Sequence, residues 1–538
     1  MKIRSSPLLF CAIPLLIAVV AHLCVDASSE PFYNNDETRH VMTGVFVRDA
    51  LADCPAHPKD YAVRYYLQYP ALGLVVWPPF FYGVEGAWMS IFGTSFLAAR
   101  LLVALFVLLA GFWFFSLVSR THEPITASLS LLILGLSPLV FQFSRQVMLE
   151  IPALALALGA IFHFERYLDE QRRRDAWFAC LLAALTALTR FDGGFLLPYF
   201  AIRLLMTRRW GLLKRGSVLG GVGIALLLTV PYYVWTWLEY GSAIAKAVKS
   251  GTGANSTSFL DSRNLLFYPS CVPEQIGWFA SIAAILGMLF SLRRTSRPYF
   301  AMLVSTYLFF TPLAELEARH AIYWIPALAV FAVLGCAGLA RMIHRRRLML
   351  PLVFVVGIGT FFSPWRDPAF HVVGYEEAAA YVVENNRETP VCLVDGFLNG
   401  NFIYQVRRHD PDRRLWVLRG DKLFYSMLSD PRAAYADWVK EERDMLAAIE
   451  RFDPELIVVE EPQLYFELRG ATLLRQTLHD HPERFRLEKT VPIRSNHIRF
   501  AGARLEIWRN LVRNPNRSEN LQIEMLGLGR PLRTDMKK

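Results

Sequence analysis

Long apolar runs alternate with short polar connections over the first two-thirds of the chain. The runs cover residues 8–25, 96–118, 125–143, 147–166, 176–189, 194–207, 216–238, 276–292, 298–313, 320–340 and 348–363. A helix needs about 20 apolar residues to cross a bilayer. The pattern therefore predicts an α-helical polytopic membrane protein with about eleven spans. Because no convincing cleavage site follows residues 8–25, we interpret this run as an uncleaved first span.

The pattern changes near residue 364. Predicted helices at 375–384 and 432–451 are interleaved with β-rich runs, namely VCLVDG (391–396), LWVLRG (415–420), LIVVEEP (456–462), RFRLEKTVPI (484–493) and HIRFAGARLEIW (497–508). Such alternation is typical of an α/β domain. We therefore expect a transmembrane domain at 1–363 and a soluble α/β domain with a basic tail at 364–538.

Positive charge predicts the orientation. Basic residues concentrate in every second connection, for example Arg172–Arg174 and Arg345–Arg347, and such loops stay in the cytoplasm. The N-terminus is then cytoplasmic, and the C-terminal domain lies outside together with residues 26–95, which we call the first outer loop. Within that loop, counting the apolar segment 73–93 as a span would invert every later loop. We expect this segment to lie in the outer interface or to re-enter it.

Composition narrows the function classes. The chain carries a net charge of +10, but the basic residues lie in the loops between apolar runs, which argues against nucleic acid as a partner. The seven cysteines include no CxxC pair or zinc-ligand spacing. A disulfide between Cys54 and Cys271 stays open.

Ionisable side chains at the membrane edge are costly, so each one on the outer side is a site candidate. The first cluster is NNDETRH, in which Asp36 and Glu37 precede Arg39 and His40. One interpretation is a helix start, where a dipole favours carboxylates. The other is a general base or a cation-binding carboxylate, with Arg39 and His40 on the same helix face as Asp36.

Three further clusters lie on the same predicted side. Glu150 opens an apolar helix, with Arg145 close enough to pair with it. Arg190 and Asp192 flank a turn in LTRFDGG, and Arg319 and His320 follow Glu317 at the start of the run 320–340. Arginine binds phosphate through two parallel hydrogen bonds. Helix-dipole stabilisation of Glu150, a structural Arg190–Asp192 pair and interfacial snorkelling of Arg319 are the alternatives.

Carboxylates and arginines at an outer lipid surface suit one chemistry well. An acceptor hydroxyl attacks a sugar carried on a lipid phosphate, a carboxylate removes the proton, and cations stabilise the departing phosphate. No nucleotide-sugar pocket is needed for this reaction. A transporter or lipid flippase, or a non-catalytic membrane scaffold for the C-terminal domain, is the alternative, although no internal repeat of the kind common in transporters is present.

Five motifs occur in the order found in polyprenyl-phosphate-dependent membrane glycosyltransferases. They are NNDETRH, PPFFYGVEGAWMSIFGTSFLAARLLVAL, VMLEIPALAL, ALTRFDGGFLLP and EARHAIYWIPALAV. The chain resembles the superfamily with the C-type fold that includes protein O-mannosyltransferases and the lipid A aminoarabinose transferase. The resemblance covers roughly residues 8–363. It implies a hexosyl- or pentosyl-type transferase in a plasma membrane of the bacterial inner-membrane kind, acting on an extracytoplasmic lipid, glycan or protein acceptor.

The resemblance also implies roles for individual residues. Asp36, with Glu37, matches the catalytic carboxylates of the first outer loop, and Glu150 matches a second acidic position where relatives usually have Asp. Arg319 matches the basic residue near the donor phosphate. Some relatives bind a metal through an acid before the proline pair, where this chain has Gln68. We therefore expect no metal carried over from those relatives and no other cofactor, while a divalent cation near the carboxylates stays open.

Overall fold

The structure is a computed structural model that describes residues 30–31, 35–74, 77–251, 262–291, 294–313, 316–364, 370–427, 435–464, 467–523 and 531–536. The predicted first span at 8–25 lies outside these residues. The helices up to residue 361 are α1 Asp36–Asp53, α2 Pro58–Gln68, α3 Phe80–Phe92, α4 Phe96–Ser119, α5 Pro124–Leu136, α6 Pro138–Ser144, α7 Glu150–Glu170, α8 Arg173–Ala187, α9 Leu196–Thr207, α10 Gly216–Gly251, α11 Ser262–Ile276, α12 Trp278–Phe290, α13 Arg297–Phe310, α14 Ile325–Met342 and α15 Met349–Phe361.

Four described helical segments are long and apolar enough to cross a membrane: α4, α7, the Gly216–Glu239 part of α10, and Ala318–Met342. A fifth arises if α5 and α6 form one broken span, since they meet at an angle of 70°. The predicted count of eleven is therefore not confirmed. Several predicted spans contain shorter helices, such as the 12 residues of α9 and the 13 residues of α15. The run 125–143 is divided at Pro138, because proline removes a helix hydrogen bond and clashes with the preceding turn.

Two apolar helices approach each other at backbone contact. Gly287 of α12 lies against the carbonyl group of Phe331, and Gly335 of α14 lies against that of Ala283. A Cβ atom on either glycine would overlap a carbonyl oxygen of the opposite helix. Small residues that allow such close approach drive helix association in lipid, where the hydrophobic effect cannot.

The first outer loop forms a helical layer. Helix α3 lies within the predicted interfacial segment and packs on α1, with Gly86 against Val47 and Gly44 against Glu85. The segment 239–275, between the predicted spans 216–238 and 276–292, includes the end of α10 and most of α11. Cys54 and Cys271 are both free thiols.

The C-terminal region, residues 364–538, is built on a mixed sheet. Its helices are α16 Tyr375–Asn385, α17 Asn399–His409, α18 Gly420–Leu423, α19 Glu442–Phe452 and α20 Arg469–Asp480. Its strands are β1 Val372–Val373, β2 Val391–Asp395, β3 Trp416–Arg419, β4 Tyr425–Met427, β5 Tyr435–Asp437, β6 Leu456–Glu461, β7 Phe485–Pro492, β8 Arg494–Ser495, β9 Arg504–Asn510, β10 Asn520–Ile523 and β11 Leu532–Asp535. The main sheet has the order β3-β2-β6-β9-β7. Strands β3, β2 and β6 run parallel, whereas β9 is antiparallel to both β6 and β7.

Two predicted elements of this region are wrong in part. The predicted helix 432–451 begins only at Glu442, and strand β5 occupies residues 435–437 of it. Glu441 and Asp444 form a reciprocal capping box that fixes this later helix start. The predicted strand 497–508 begins at Arg504, after a short 3-10 turn at Ile498–Phe500.

The C-terminal region rests directly on the first outer loop. Arg407 of α17 donates to Asp49 of α1 over 2.7 Å, and both side chains are nearly fully buried. Arg413 and Asp53 form a bidentate pair with N–O distances of 2.6 and 3.0 Å. These contacts hold the end of α1 against the C-terminal region.

Candidate active site

Helix α1 begins at Asp36, directly after Asn35, which contacts the C-terminal region. Asn35 adopts a left-handed conformation, with φ of 67°, which asparagine tolerates better than most residues. Its side chain does not cap the helix. It donates to the carbonyl oxygen of Phe397 over 2.6 Å and accepts from the Gly400 N–H at 3.1 Å. The C-terminal region therefore fixes the first turn that carries Asp36.

Two arginines face the Asp36 carboxylate. Arg39 Nη1 lies 3.2 Å from Asp36 Oδ1, as the shared helix face predicts. Arg319 Nη1 lies 3.9 Å from Asp36 Oδ2 and 3.8 Å from Glu150 Oε1. The structure thus brings together three residues that lie far apart in the sequence.

Glu150 forms the deep end of this network. Its side chain is fully buried at the start of α7, and Arg190 Nη1 donates to its Oε1. Arg190 also pairs with Asp192 Oδ2 over 2.8 Å, and Asp192 Oδ1 accepts from the Tyr323 hydroxyl at 2.7 Å. The structure thus contains the Arg190–Asp192 pair that the structural interpretation predicted. This pair also connects to Glu150, so it belongs to the charge network.

Glu37 and His40 hydrogen-bond to other parts of the fold. Glu37 is buried and accepts from the Val147 N–H at 2.9 Å, which ties α1 to the turn before α7. His40 is buried as well, with its Nδ1 2.7 Å from the Tyr82 hydroxyl oxygen and its ring against Trp77. Both residues orient the helix that presents Asp36.

The other two predicted site residues have different surroundings. Arg145 lies over the Phe141 ring, 4.2 Å from its centroid, and donates to the Phe141 carbonyl oxygen. The ion pairs of Glu150 come from Arg190 and Arg319. His320 stacks on Phe310, and its buried Nδ1 has no hydrogen-bond partner within the described part of the chain.

Burial raises the pKa of Asp36, because the charged carboxylate loses water. Arg39 and Arg319 oppose this effect, while Glu150 and Glu317 add to it. The Asp36 side chain nevertheless keeps 19% of its surface exposed, whereas Glu150 has none. Asp36 is therefore the carboxylate of this pair that an incoming molecule can reach.

The sequence did not indicate several residues that contribute to the candidate site. Tyr323 and Tyr82 carry no charge, so a search for ionisable clusters passes over them. Asp421 and Lys422 of α18 lie within electrostatic range of Arg39, and burial lowers the pKa of Lys422 to about 8. No local pattern links α18 to residue 39, because this electrostatic interaction exists only once the C-terminal region rests on α1.

The residues at the position where some relatives hold a metal do not fit that role. Gln68 donates through Nε2 to the carbonyl oxygens of Arg413 and Leu415, at 2.8 and 3.0 Å. Its amide N–H groups therefore bind the C-terminal region. Across the described ranges, no group of three or more His, Cys, Asp or Glu side chains is placed to hold a metal ion.

The arrangement can accept a proton next to a cation that can bind an anionic ligand. Asp36 can accept a proton, and the guanidinium of Arg319 lies next to it at 18% exposure. Arg190 is more deeply buried and is balanced by Glu150 and Asp192. Perturbed carboxylates beside fixed cations are typical of functional sites.

Comparison with protein families gives one match on part of the chain. Residues 77–235 match the family described as dolichyl-phosphate-mannose-protein mannosyltransferase. This stretch includes Glu150, Arg190 and Asp192 but neither Asp36 nor Arg319. Comparison with curated protein sequences gives no significant match.

Solved structures match over nearly the whole chain. ArnT from Cupriavidus metallidurans bound to undecaprenyl phosphate aligns with a TM-score of 0.59 at 15% identity, covering 95% of this chain and 99% of that one. Its apo form gives 0.58 at 16% identity, covering 93% and 97%. The oligosaccharyltransferase of Archaeoglobus fulgidus, tethered to an acceptor peptide containing the NVT sequon, gives 0.51 at 13% identity, covering 85% and 69%.

These likenesses confirm the resemblance drawn from the five motifs. The chain has the fold of ArnT and of the archaeal oligosaccharyltransferase, and residues 77–235 match the mannosyltransferase family. The fold extends through the C-terminal region, for which the sequence motifs gave no indication.

Proposed function

We propose that this protein transfers a sugar from a polyprenyl phosphate to an extracytoplasmic lipid, glycan or protein acceptor, with Asp36 as the general base. The observation that carries the proposal is the position of Arg319, within 4 Å of both Asp36 and Glu150. A proton acceptor and a phosphate-binding cation are thereby adjacent. The base acts on the attacking hydroxyl and the cation on the leaving phosphate, and both groups meet at one reacting carbon.

The proposed reaction is a single displacement. The acceptor hydroxyl oxygen attacks the anomeric carbon of the sugar, and its proton passes to the Asp36 carboxylate. The bond between that carbon and the phosphate oxygen breaks, and its electron pair leaves with the polyprenyl phosphate. A general base of this kind contributes about 10²- to 10⁴-fold to a rate.

Arg319 is the proposed main ligand of the leaving phosphate. Its side chain is partly exposed, at 18%, so a donor headgroup can reach it. Arg190 and His320 support the site from the bundle side, and the Nδ1 of His320 offers a buried polar atom with no described partner. Glu150 assists by holding Arg190 and Arg319 in place.

The likeness to ArnT bound to undecaprenyl phosphate supports the choice of donor class. We further propose that the N-terminus is cytoplasmic, that the site lies at the outer surface of a bacterial inner membrane, and that residues 1–363 and 364–538 are separate domains. The loop charges support this orientation. The contacts of Asn35 with Phe397 and Gly400 support a C-terminal domain that lies beside the proposed reacting groups.

The proposal is tested by lipid analysis of a strain lacking the gene. Mass spectrometry of lipid extracts should reveal an accumulating polyprenyl-phosphate sugar, which the wild-type gene removes. Asp36→Asn keeps the shape of the side chain and removes its basicity, so the sugar lipid should remain. Asp60→Asn is the matched control, because Asp60 is an exposed acid on the same loop. Normal removal of the sugar lipid by Asp36→Asn would exclude Asp36 as the base.

A further inference from the structure

A cavity of about 520 Å³ lies between the first outer loop and the C-terminal region. One wall is formed by the end of α1 and by α2, and the opposite wall by residues 412–416. The segment around Arg517 and Glu519 closes the rim. The volume is in the range of cavities that hold small ligands.

Strong contacts hold the two walls in a fixed position. The bidentate pair between Asp53 and Arg413 joins them, and the Tyr61 hydroxyl donates to Asp53 Oδ2 over 2.7 Å. Gln68 adds two hydrogen bonds to carbonyl oxygens of the opposite wall. The cavity is therefore preformed, and little ordering is needed when a ligand binds.

The lining combines cations, hydrogen-bond acceptors and aromatic rings. Four arginines and three acids line it, and Asp53 and Arg413 among them form an ion pair. The Arg64 guanidinium lies 5.8 Å from the centroid of the Trp416 ring. The Arg414 side chain pairs with Asp410 over 3.6 Å and is still 51% exposed. Arginine forks bind carboxylates and phosphates. The acids accept hydrogen bonds from hydroxyl groups. This combination fits a sugar chain that carries acidic groups.

The cavity is too far from Asp36 to hold the reacting hydroxyl. Asp36 and Asp53 are the two ends of α1, which has 18 residues and therefore spans about 25 Å at 1.5 Å per residue. An extended acceptor can bridge that distance, with one end at the carboxylate and a distal part in the cavity.

We propose that this cavity binds an anionic glycan segment of the acceptor, separately from the site of sugar transfer. The inference rests on the proposed function, because only sugar transfer would make the bound glycan an acceptor. Binding of the glycan itself does not depend on transfer, so the two can be tested apart.

The test measures direct binding to the full-length protein in detergent micelles. The probes are fluorescently labelled trigalacturonate, which carries carboxylates, and labelled maltotriose, which is neutral. Wild-type protein should bind trigalacturonate at least about 10-fold more tightly than maltotriose, since each charge-assisted contact contributes a factor of this order. Unlabelled inorganic phosphate, added at the same concentration as the probe, should displace little of it if the saccharide contributes to recognition.

Variants then locate the binding. Arg64→Gln combined with Arg414→Gln should weaken trigalacturonate binding at least about 10-fold. Arg414→Gln alone should weaken it less and serves if the double variant fails to fold. Arg387→Gln is the matched control, because Arg387 is exposed elsewhere in the C-terminal region.

Each other result overturns the inference. Equal binding of both saccharides would exclude an anionic ligand, complete displacement by phosphate would indicate a simple anion site, and unchanged binding in the arginine variants would place the ligand elsewhere. Asp36→Asn should bind trigalacturonate as wild type does. Failure of the proposed function would therefore appear in the lipid analysis, and failure of this inference only in the binding measurements.

Discussion

The guanidinium of Arg319 bridges Asp36 and Glu150, with its Nη1 atom 3.9 Å from one carboxylate and 3.8 Å from the other. The exposed carboxylate comes from the first outer loop, and the buried one opens a membrane helix. Arg319 lies in the 3-10 turn Ala318–Trp324, just before α14. A single side chain thus links three separate segments of the fold.

The first prediction concerns that bridge. Arg319→Ala removes the cation proposed to bind the leaving phosphate, and sugar transfer should fall by about 10- to 100-fold, the effect of losing a charge-assisted hydrogen bond. Arg319→Lys keeps the charge without the planar fork, so it should recover only part of the activity. Arg341→Lys, at the opposite end of α14 and exposed, should behave as wild type. Full activity in Arg319→Ala would contradict the assignment.

The second prediction concerns the pH dependence of transfer. Burial raises the pKa of Asp36 above its ordinary value of about 4, and only the deprotonated form can act as a base. The value of kcat/KM should therefore decrease as the pH falls through this raised pKa. Arg39→Gln removes a cation that lowers the pKa, so the acidic limb of the profile should move to higher pH.

A matched variant separates this effect from a general loss of charge. Arg48 pairs with Asp49 farther along the same helix, so Arg48→Gln should leave the acidic limb where it is. A limb that moves equally in both variants would mean that another group controls it.

The third prediction concerns the buried Glu150. Glu150→Gln removes the negative charge that balances Arg190, and Asp192 remains as its other partner. Loss of one partner from a buried pair costs roughly 3–5 kcal/mol, and we expect the lower end because Asp192 stays. The midpoint of thermal unfolding in detergent should decrease together with transfer activity. Glu150→Asp should retain more of both, and a fully stable Glu150→Gln would show that Arg190 does not need this charge.

The fourth prediction concerns the contact between α12 and α14. Gly335→Val would place side-chain atoms where the Ala283 carbonyl group lies, so the helices must separate, at a cost of more than about 2 kcal/mol. Less protein should elute as a monodisperse peak in size-exclusion chromatography, and thermal unfolding should start earlier. Gly223→Ala is the control, since no atom lies within 4 Å of the added Cβ. Wild-type behaviour of Gly335→Val would contradict the tight packing.

The sequence predicted the local half of the candidate site. One interpretation of the motif NNDETRH was a helix start with carboxylates in the first turn, and the spacing put Arg39 on the same helix face as Asp36. The structure has this helix start, and Arg39 pairs with Asp36. The motif did not distinguish Asp36 from Glu37. That distinction depends on the Val147 N–H, which holds Glu37 inside the protein and comes from a segment more than a hundred residues away.

The C-terminal region illustrates the same limit. Its buried parallel strands β2 and β6 were predicted, because continuous apolar runs between turns identify such strands. Helix α17 was not predicted, since it begins with Asn399 and Gly400, which have low helix propensity. Gly400 lies against the start of α1, where it contacts Thr38 and Asn35. Tertiary contact decided the structure there.

Through Asn35, the C-terminal region contributes to the structure of the candidate site. Its side chain links Phe397 and Gly400 to the residue immediately before Asp36. A membrane portion produced without residues 364–538 would keep the proposed base, the arginines and the buried glutamate in its sequence, but it would lose the partner that sets the first turn of α1. The membrane helices alone therefore lack two hydrogen bonds that position the residue before the proposed base.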